Sequence, residues 1–309
     1  MKKIALLGAT GYIGRSLLQE FFDDKEKFHL FLFSRSKSKI NGLIKNKIKN
    51  DSIKACVISE FNKHNYDVVI NCTGIKSLSL LKENPYEVFK VTEEMDSMII
   101  GYLEKSPKTL YINLSSGGVY GNYGNSNKEI NSETRATINI NDISPAEYYA
   151  IAKINSEAKH RAIPDLNIVD LRVFAFFSRF SDVSPKFMMS EVVDCIKNKK
   201  IFKTDDNNII RDYVCPNDLL SIVKKVIKKG RINDFFDVYS LKPISKFDLL
   251  VFLEKKYGLK YLIKKAPKSI NNLSKNIYYS KNKKAERIGY SPKFSSLSGI
   301  EHEIDKMNI

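Results

Sequence analysis

A chain of 309 residues that is 43% hydrophobic can bury a sizeable core, as one large α/β domain or a larger domain with a smaller companion, and this excludes a disordered polymer. Its 51 Lys+Arg against 35 Asp+Glu give a net charge of +16, yet the lysines are scattered through "KNKIKN", "KKVIKK" and "KNKKAER" without interleaved aromatics. That pattern reads as a solvated surface that attracts small anions, with no nucleic-acid partner. No run reaches the length of a membrane span, and glycines interrupt "MKKIALLGATGYIG" too early for a signal peptide, so a soluble cytoplasmic protein without a membrane partner is expected.

From the N-terminus, "KIALLGA" reads as an apolar strand and Ile13 to Phe22 as a helix. "HLFLFSR", "IKACVIS" and "YDVVINCTG" are further strands, followed by a helix around Val88 to Leu103 and the strand "TLYINLSS". After a long loop, a helix carries "SPAEYYAIAKINSEAK", and "LNIVDLRVFAF" returns as a strand. Strict alternation implies βαβ units and a doubly wound parallel sheet with helices on both faces.

Beyond Ser178 the order loosens. "PNDLLSIVKKVIKKG" places Leu219, Ile222, Val223, Val226 and Ile227 on one helical stripe that Gly230 would cap. "DVYSLKPISKFDLLVFLEKKYGL" reads as strand, turn and amphipathic helix. The expected organisation is a dinucleotide-binding domain over 1–175 and about 202–237, with a smaller C-terminal α/β lobe from 176–201 and 238–309.

The first domain takes its assignment from "GATGYIG". Gly8, Gly11 and Gly14 follow an apolar strand and open a helix, where glycine allows a tight bend, close approach to a pyrophosphate and close helix-to-strand packing. Dinucleotide binders that prefer NAD usually carry an acid at the end of the second strand; here "LFLFSRSKSK" offers Ser34, Arg35 and Ser36 instead. Arg35 suits a 2′-phosphate, so NADP is favoured and NAD remains possible.

The four cysteines, Cys56, Cys72, Cys195 and Cys215, and the four histidines are dispersed without ligand spacing, so reduced thiols and no metal site are expected.

Tyr-x-x-x-Lys occurs four times: Tyr86/Lys90, Tyr149/Lys153, Tyr261/Lys265 and Tyr279/Lys283. Context selects Tyr149/Lys153. The pair shares one helical face, where the lysine cation is expected to lower the tyrosine pKa, whereas Tyr148 shares its face with Ala152. Upstream, "INLSSGGVYG" ends a strand at its carboxyl edge, where Ser116 can donate to an oxygen that Tyr149 would protonate.

These pieces, with "VVINCTG", "IVDLRVF", "RDYVCPNDL" and "ERIGYSPKFSSLSGI", resemble the extended short-chain dehydrogenase/reductases, in the nucleotide-sugar epimerase, dehydratase and reductase branch, over residues 1 to about 300. The resemblance implies a Rossmann fold and a nucleotide-diphosphate-sugar substrate held by the C-terminal lobe. By position it implies Ser116, Tyr149 and Lys153 as catalytic and Gly8, Thr10, Gly11, Tyr12, Ile13 and Gly14 as the phosphate cradle. It puts Cys72, Thr73 and Gly74 beside the ribose and nicotinamide, Arg211 on the substrate diphosphate and Lys186 as a second substrate contact. It also implies a homodimer through the helix of Tyr149 and the one before it, with Met95, Met98, Ile99 and Tyr102 as an apolar seam.

Departures from the family pattern narrow the chemistry. Dehydratases carry Asp-Glu after the catalytic Ser/Thr, where this chain has Gly117 and Gly118, and the epimerase-reductases of the fucose-synthase kind have a cysteine at the place of Gly117. Lys90 and Ala175 stand where Asn is frequent. The expectation is an NADPH-dependent 4-ketoreductase of a 4-keto-6-deoxy sugar on a nucleotide, such as dTDP. A nucleotide-sugar 4-epimerase is the alternative, and a non-catalytic dinucleotide sensor a more distant one.

Overall fold

The computed structural model describes residues 1–45, 52–75, 82–126, 129–181, 187–265, 276–307 and 309. Its centre is a seven-stranded sheet made of β1 (Lys3–Leu7), β2 (His29–Ser34), β3 (Ile53–Val57), β4 (Val68–Asn71), β5 (Leu110–Ser116), β6 (Ile168–Val173) and β11 (Asn233–Val238). The order is β11-β6-β5-β4-β1-β2-β3, with every pairing parallel. This is the doubly wound Rossmann-like fold expected from the alternation. The strand order reverses between β1 and β4, the switch point outside which ligands bind in such sheets.

The central strands are continuous apolar runs because both of their faces are covered. Successive β1 side chains point to opposite faces. Ile4 and Leu6 join one core cluster with Leu17 and Phe21 of α1 (Tyr12–Asp23) and with Leu219, Ile222, Val223 and Val226 of α6 (Pro216–Lys229). Ala5 and Leu7 join a second with Phe33, Val69 and Tyr111 and with Ile99 and Leu103 of α3 (Tyr86–Lys105). The stripe predicted for α6 is buried on the sheet, and Gly230 caps that helix at φ +89°. The first cluster also takes in Ala285 and Tyr290 from the far C-terminal part of the chain.

Helix α2 (Lys37–Ile44) follows β2, and α4 (Pro145–Ala162) follows β5 after a long loop. Pro145 opens α4, and the Ser144 backbone N–H donates to the Glu147 carboxylate at 2.8 Å, which fixes the first turn and hence the rotation of the residues that follow.

The C-terminal elements form their own cluster: Phe177, Met189, Val192, Phe202, Leu249, Leu253, Ile300 and Ile304. They come from α5 (Met188–Lys197), α7 (Lys246–Tyr257), α8 (Ser296–Asp305) and the connecting chain. β8 (Ile201–Asp205) pairs in parallel with β13 (Lys260–Lys264), so Phe202 packs with this lobe, although the sequence suggested the larger domain from about 202. β9 (Ile210–Arg211) lies between β12 (Ile244–Ser245) and β14 (Ile277–Tyr278), and β7 (Ala175–Phe176) pairs with β10 (Tyr213–Val214).

The structure corrects one expectation about α3. Ile99 is fully buried and Tyr102 8% exposed, both against the sheet, and Met95 and Met98 pack on the same cluster. The Tyr102 hydroxyl accepts from the Tyr66 backbone N–H at 2.9 Å. Residues read as an outward seam therefore cover the sheet.

Buried ions join α1 to the lobe. Arg179 Nη1 lies 2.7 Å from Glu303, a carboxylate with no exposure, and 3.5 Å separates Arg179 Nη2 from Glu20 on α1. Removing one partner of such a pair leaves a buried charge unmatched. Arg179→Ala should cost roughly 3–5 kcal/mol, read as a lower midpoint in urea denaturation; a variant with wild-type stability would show that Lys306, 3.7 Å from Glu303, carries that charge alone.

Candidate active site

The cradle forms where β1 ends. Gly8 sits at φ +72°, and a Cβ there would lie 3.0 Å from both the carbonyl carbon and oxygen of Cys72 at the end of β4. A Cβ on Gly14 would fall 2.2 Å from the Gly8 carbonyl oxygen. Both positions admit only glycine, because α1 starts against the turn and the turn against β4. Gly11 donates its N–H to Gly8 O at 2.8 Å and stands at the N-cap of α1, whose first turn has no acid. The positive end of the helix dipole is thus open to an anion, with half-buried Thr10 beside it.

Two cradle residues have side chains occupied elsewhere. Ile13 points into the core. The Tyr12 hydroxyl accepts from Ser178 N at 2.8 Å, and its ring meets Phe176 edge-on at 5.3 Å, so Tyr12 braces α1 against the start of the lobe and meets the cradle with its backbone.

At the end of β2, Ser34 Oγ accepts from Ser36 N at 3.1 Å and donates to Ser36 O at 2.8 Å. This closes a turn that leaves Arg35 exposed and, among the described residues, without an ion-pair partner. Ser36 Oγ lies 2.8 Å from Ser38 Oγ. At the end of β4, Asn71 Oδ1 accepts from the Thr73 N–H at 3.0 Å and its hydroxyl at 2.5 Å. Cys72 donates to Leu7 O at 3.1 Å, and a Cβ on Gly74 would meet open space. The ends of β1, β2 and β4 therefore converge on one edge.

Ser116 ends β5 on the same edge, and its Oγ accepts from Gly118 N at 3.1 Å. Tyr149 reaches it from α4. Burial raises the Tyr149 pKa, and the hydrogen bond with Ser116 opposes that rise. Lys153, one turn along and 4% exposed, donates to Leu114 O at 3.0 Å and lies 6.0 Å from the Tyr149 ring centroid. The lysine was expected to lower the Tyr149 pKa. It is instead anchored on the β5 backbone, burial lowers its own pKa, and Tyr149 stays a neutral phenol. Tyr148 packs edge-on against Phe89 at 6.1 Å. The remaining Tyr-x-x-x-Lys pairs lie apart: Tyr86 is 70% exposed, Tyr261 packs on the C-terminal cluster, and Tyr279 hydrogen-bonds Glu129.

The two glycines after Ser116 have steric meaning. A Cβ on Gly117 would lie 2.4 Å from Phe174 Cδ1, and one on Gly118 would stand 3.4 Å from Ser116 Oγ and 3.8 Å from Tyr149 Cδ1. A carboxylate at 117 would collide with Phe174, and one at 118 would enter the site. The place of a dehydratase's acid pair is closed on one side and vacant on the other.

Arg211, on β9, is half-buried and donates from Nη1 to Ile210 O at 2.8 Å. Desolvation lowers its pKa, and among the described residues no carboxylate pairs with it. Its neighbour Asp212 is taken up by the Ser240 N–H at 3.1 Å and the Ser296 hydroxyl at 3.2 Å. Lys186 lies outside the described residues. Lys90 is exposed on α3 and Ala175 lies on β7.

The family model for the NAD-dependent epimerase/dehydratase family matches residues 4–239. The chain belongs to the NAD-dependent epimerase/dehydratase family. Solved structures share the fold of this epimerase/dehydratase chain. A UDP-glucuronic acid 4-epimerase of Bacillus cereus, in complex with UDP-glucuronic acid and NAD, superposes at TM-score 0.78 and 19% identity over 99% of each chain. A dTDP-glucose 4,6-dehydratase of Bacillus anthracis in complex with NAD gives 0.74 and 13% over 99% of this chain and 96% of that one. A UDP-N-acetylglucosamine 4-epimerase of Methanobrevibacter ruminantium gives 0.75 and 16% over the same shares. No curated protein sequence matched significantly.

Sequence reasoning missed two features of this family member's site. One is Tyr278 on β14, whose ring lies 5.1 Å from Phe174 and 5.8 Å from the Arg211 guanidinium carbon; its only local signal was the doubled tyrosine in "NIYYSK". The other is a buried charge network behind Lys153. His160, with no exposure, places Nδ1 2.9 Å from Asp170 and Nε2 2.7 Å from Asp96. Asn113 donates to Asp170 at 2.7 Å and the Tyr111 hydroxyl to Asp96 at 3.1 Å.

Burial alone would push the His160 pKa down, but hydrogen bonds to Asp170 and Asp96 raise it to about 9. The folded state then holds this proton more tightly than the unfolded chain. The extra stability is complete below the ordinary histidine value and is lost as pH rises towards 9. The melting temperature should fall between pH 6.5 and 9 (histidine's ordinary value and the raised one), by the equivalent of roughly 3 kcal/mol, and His160→Gln should flatten that slope. An unchanged slope in the variant would place the titration elsewhere.

Proposed function

We propose that the protein performs hydride transfer at one ring carbon of a nucleotide-diphosphate sugar, and that its net reaction is the NADPH-dependent reduction of a 4-keto-6-deoxy sugar. The observation that carries this reading is the meeting of Ser116, Tyr149 and buried Lys153 at the same sheet edge as a glycine cradle too narrow for any side chain. That cradle fits a dinucleotide pyrophosphate. A bound nicotinamide would supply the hydride.

The chain's own residues would do the rest. Tyr149, kept neutral by burial, holds the proton that the carbonyl oxygen takes up, and Ser116 orients that oxygen. Lys153, anchored on the Leu114 carbonyl one turn from Tyr149, would hold the nicotinamide ribose. Arg211, a cation without a carboxylate partner among the described residues, suits the substrate diphosphate with its forked donors. The net charge of +16 would draw an anionic substrate inward. Gly117 and Gly118 argue against elimination, because no acid pair follows Ser116. Arg35 supports NADPH, since an exposed guanidinium at the end of β2 suits a 2′-phosphate.

A second reading, a 4-epimerase that retains its cofactor and returns the hydride to the other face, is favoured by the fold-level likeness to 4-epimerases solved with NAD. The homodimer common in the family belongs to the proposal. It would use the outer faces of α3 and α4, because Ile99 and Tyr102 are turned to the sheet.

Mixed with a dTDP-4-keto-6-deoxyhexose, the protein should consume one NADPH per sugar, read as loss of nicotinamide absorbance. Appearance of a C4 isomer of UDP-glucose or UDP-glucuronic acid without net absorbance change would replace the reductase by the epimerase. Tyr149→Phe should lower turnover by about 10²–10⁴-fold with dinucleotide binding retained.

Arg35→Ala should raise the KM for NADPH about tenfold or more and leave that for NADH nearly unchanged. Equal effects on the two would overturn the NADP preference.

A further inference from the structure

The charge network behind Lys153 has a second end. Asn71 Oδ1, on β4, accepts from Thr73 N at 3.0 Å and from the Thr73 hydroxyl at 2.5 Å. The other side of the same amide donates from Nδ2 to the Tyr111 hydroxyl at 3.1 Å. Tyr111 in turn donates to Asp96 at 3.1 Å, and Asp96 lies 2.7 Å from His160 Nε2. A continuous chain of hydrogen bonds thus runs from a buried ion cluster to the carboxyl end of β4. Its inner members are dry: Tyr111 and His160 have no exposure, Asp96 has 1% and Asn71 5%.

The chain has one direction. Burial opposes the charge of Asp96, but hydrogen bonds and charge from His160 and Lys159 outweigh it and hold the carboxyl below its ordinary value. A carboxylate only accepts, so the Tyr111 hydroxyl must donate to it. Asn113 Oδ1, 3.5 Å away, calls for the same, because the Asn113 amide nitrogen donates to Asp170 at 2.7 Å. With its proton committed, the Tyr111 oxygen accepts from Asn71 Nδ2, which turns Asn71 Oδ1 towards Thr73. The Thr73 hydroxyl proton therefore points inward, and its oxygen is left as an acceptor for an outside donor. Thr73 also borders the cradle, since a Cβ on Gly8 would lie 3.1 Å from its N. A dinucleotide seated there by its pyrophosphate has a ribose on either side, and a ribose hydroxyl is the donor such an oxygen fits.

We propose that Tyr111, held by the buried Asp96–His160 pair, is a positioning residue for the dinucleotide: acting through Asn71, it fixes the Thr73 hydroxyl so that its oxygen accepts from a ribose hydroxyl. The inference rests on the dinucleotide binding proposed above. Asp96, His160 and Tyr111 touch no ligand themselves and act only through Asn71 and Thr73.

The test uses Tyr111→Phe, which keeps the ring edge-on to His160 at 5.3 Å and removes only the hydroxyl. Titration of the full-length protein with NADH and NADPH, followed by nicotinamide fluorescence, should show about tenfold weaker binding of both, while kcat and the KM for sugar at saturating dinucleotide stay within about twofold of wild type. Thr73→Val should lose a similar factor, and the double variant no more than Thr73→Val alone, because the two changes cut one chain. Losses that multiply in the double variant, or an equal fall in kcat and sugar affinity, overturn the role. Wild-type affinity in Tyr111→Phe also overturns it and leaves the hydride-transfer reading standing. Should Tyr111→Phe not fold, Asp96→Asn replaces it, since an amide at 96 can offer Tyr111 a donor and reverse the chain; the same outcomes decide.

NADH analogues without the hydroxyls of the nicotinamide ribose, or of the adenosine ribose, locate the donor. Wild type should bind one of them at least about tenfold more weakly than NADH, and Tyr111→Phe should bind that analogue as wild type does. If the two proteins differ equally on both analogues and on NADH, no ribose hydroxyl is the donor and the proposal fails. A wild type that binds dinucleotide in the expected pattern but turns over no nucleotide sugar keeps the positioning role and refutes hydride transfer. One that binds no dinucleotide refutes both.

Discussion

The close approach of three backbone segments after β1 is the constraint on which the rest of the molecule depends. Gly8 touches the Cys72 carbonyl, Gly14 touches Gly8, and no side-chain carbon fits between them. That contact sets how near α1 lies to the sheet and where β4 ends relative to β1. It also places the positive end of α1 over the edge where Ser116 and the Tyr149/Lys153 helix converge. Tyr12 and Ser16 extend the same helix towards the lobe, through Ser178 N at 2.8 Å and Ser178 Oγ at 2.7 Å. One tight turn thus positions the glycine cradle and docks the C-terminal lobe on the sheet.

Behind the site, two groups of buried charges balance one another. His160 is set between Asp96 and Asp170, and Arg172 between Glu157 at 2.5 Å and Asp237 at 3.8 Å. Isolated, any of these would carry a severe desolvation penalty; paired and hydrogen-bonded, they hold β5, β6, β11 and α4 in one relative position. The second group also reaches forward, because Asp237 anchors Ser280 and so the strand of Tyr278. The packing that supports the sheet and the placing of the chain after β14 are therefore coupled through shared carboxylates.

Legibility followed the range of the interaction. The glycine turn, the alternation of strand and helix, and the Tyr149/Lys153 pair are local patterns, and each lies where its spacing put it. Of the four similar spacings, the Tyr149 pair is the one that lies beside Ser116 at the end of β5, the strand end that "SSGGVYG" marks. The assignment of Ile99 and Tyr102 to an outer seam failed for a physical reason. An amphipathic helix shows that one face is apolar, not whether that face meets a sheet or a second subunit. The expected effect of Lys153 on Tyr149 failed similarly, since sharing a helical face does not decide which acceptor a long side chain finds, and the Leu114 carbonyl was nearer.

By itself, the amino-acid sequence determined a doubly wound parallel fold, a glycine cradle at the start of α1, and a serine, tyrosine and lysine brought to one sheet edge. Those features follow from backbone sterics and fixed helical and strand periods, which act over a few residues. Only the tertiary structure decided that Tyr278 packs beside Phe174 and Arg211, that Phe174 forbids a side chain at 117, and that His160 is buried between two carboxylates that raise its pKa. Each of these depends on segments distant in the chain meeting in a dry interior, where partners and desolvation, rather than spacing, set position and charge.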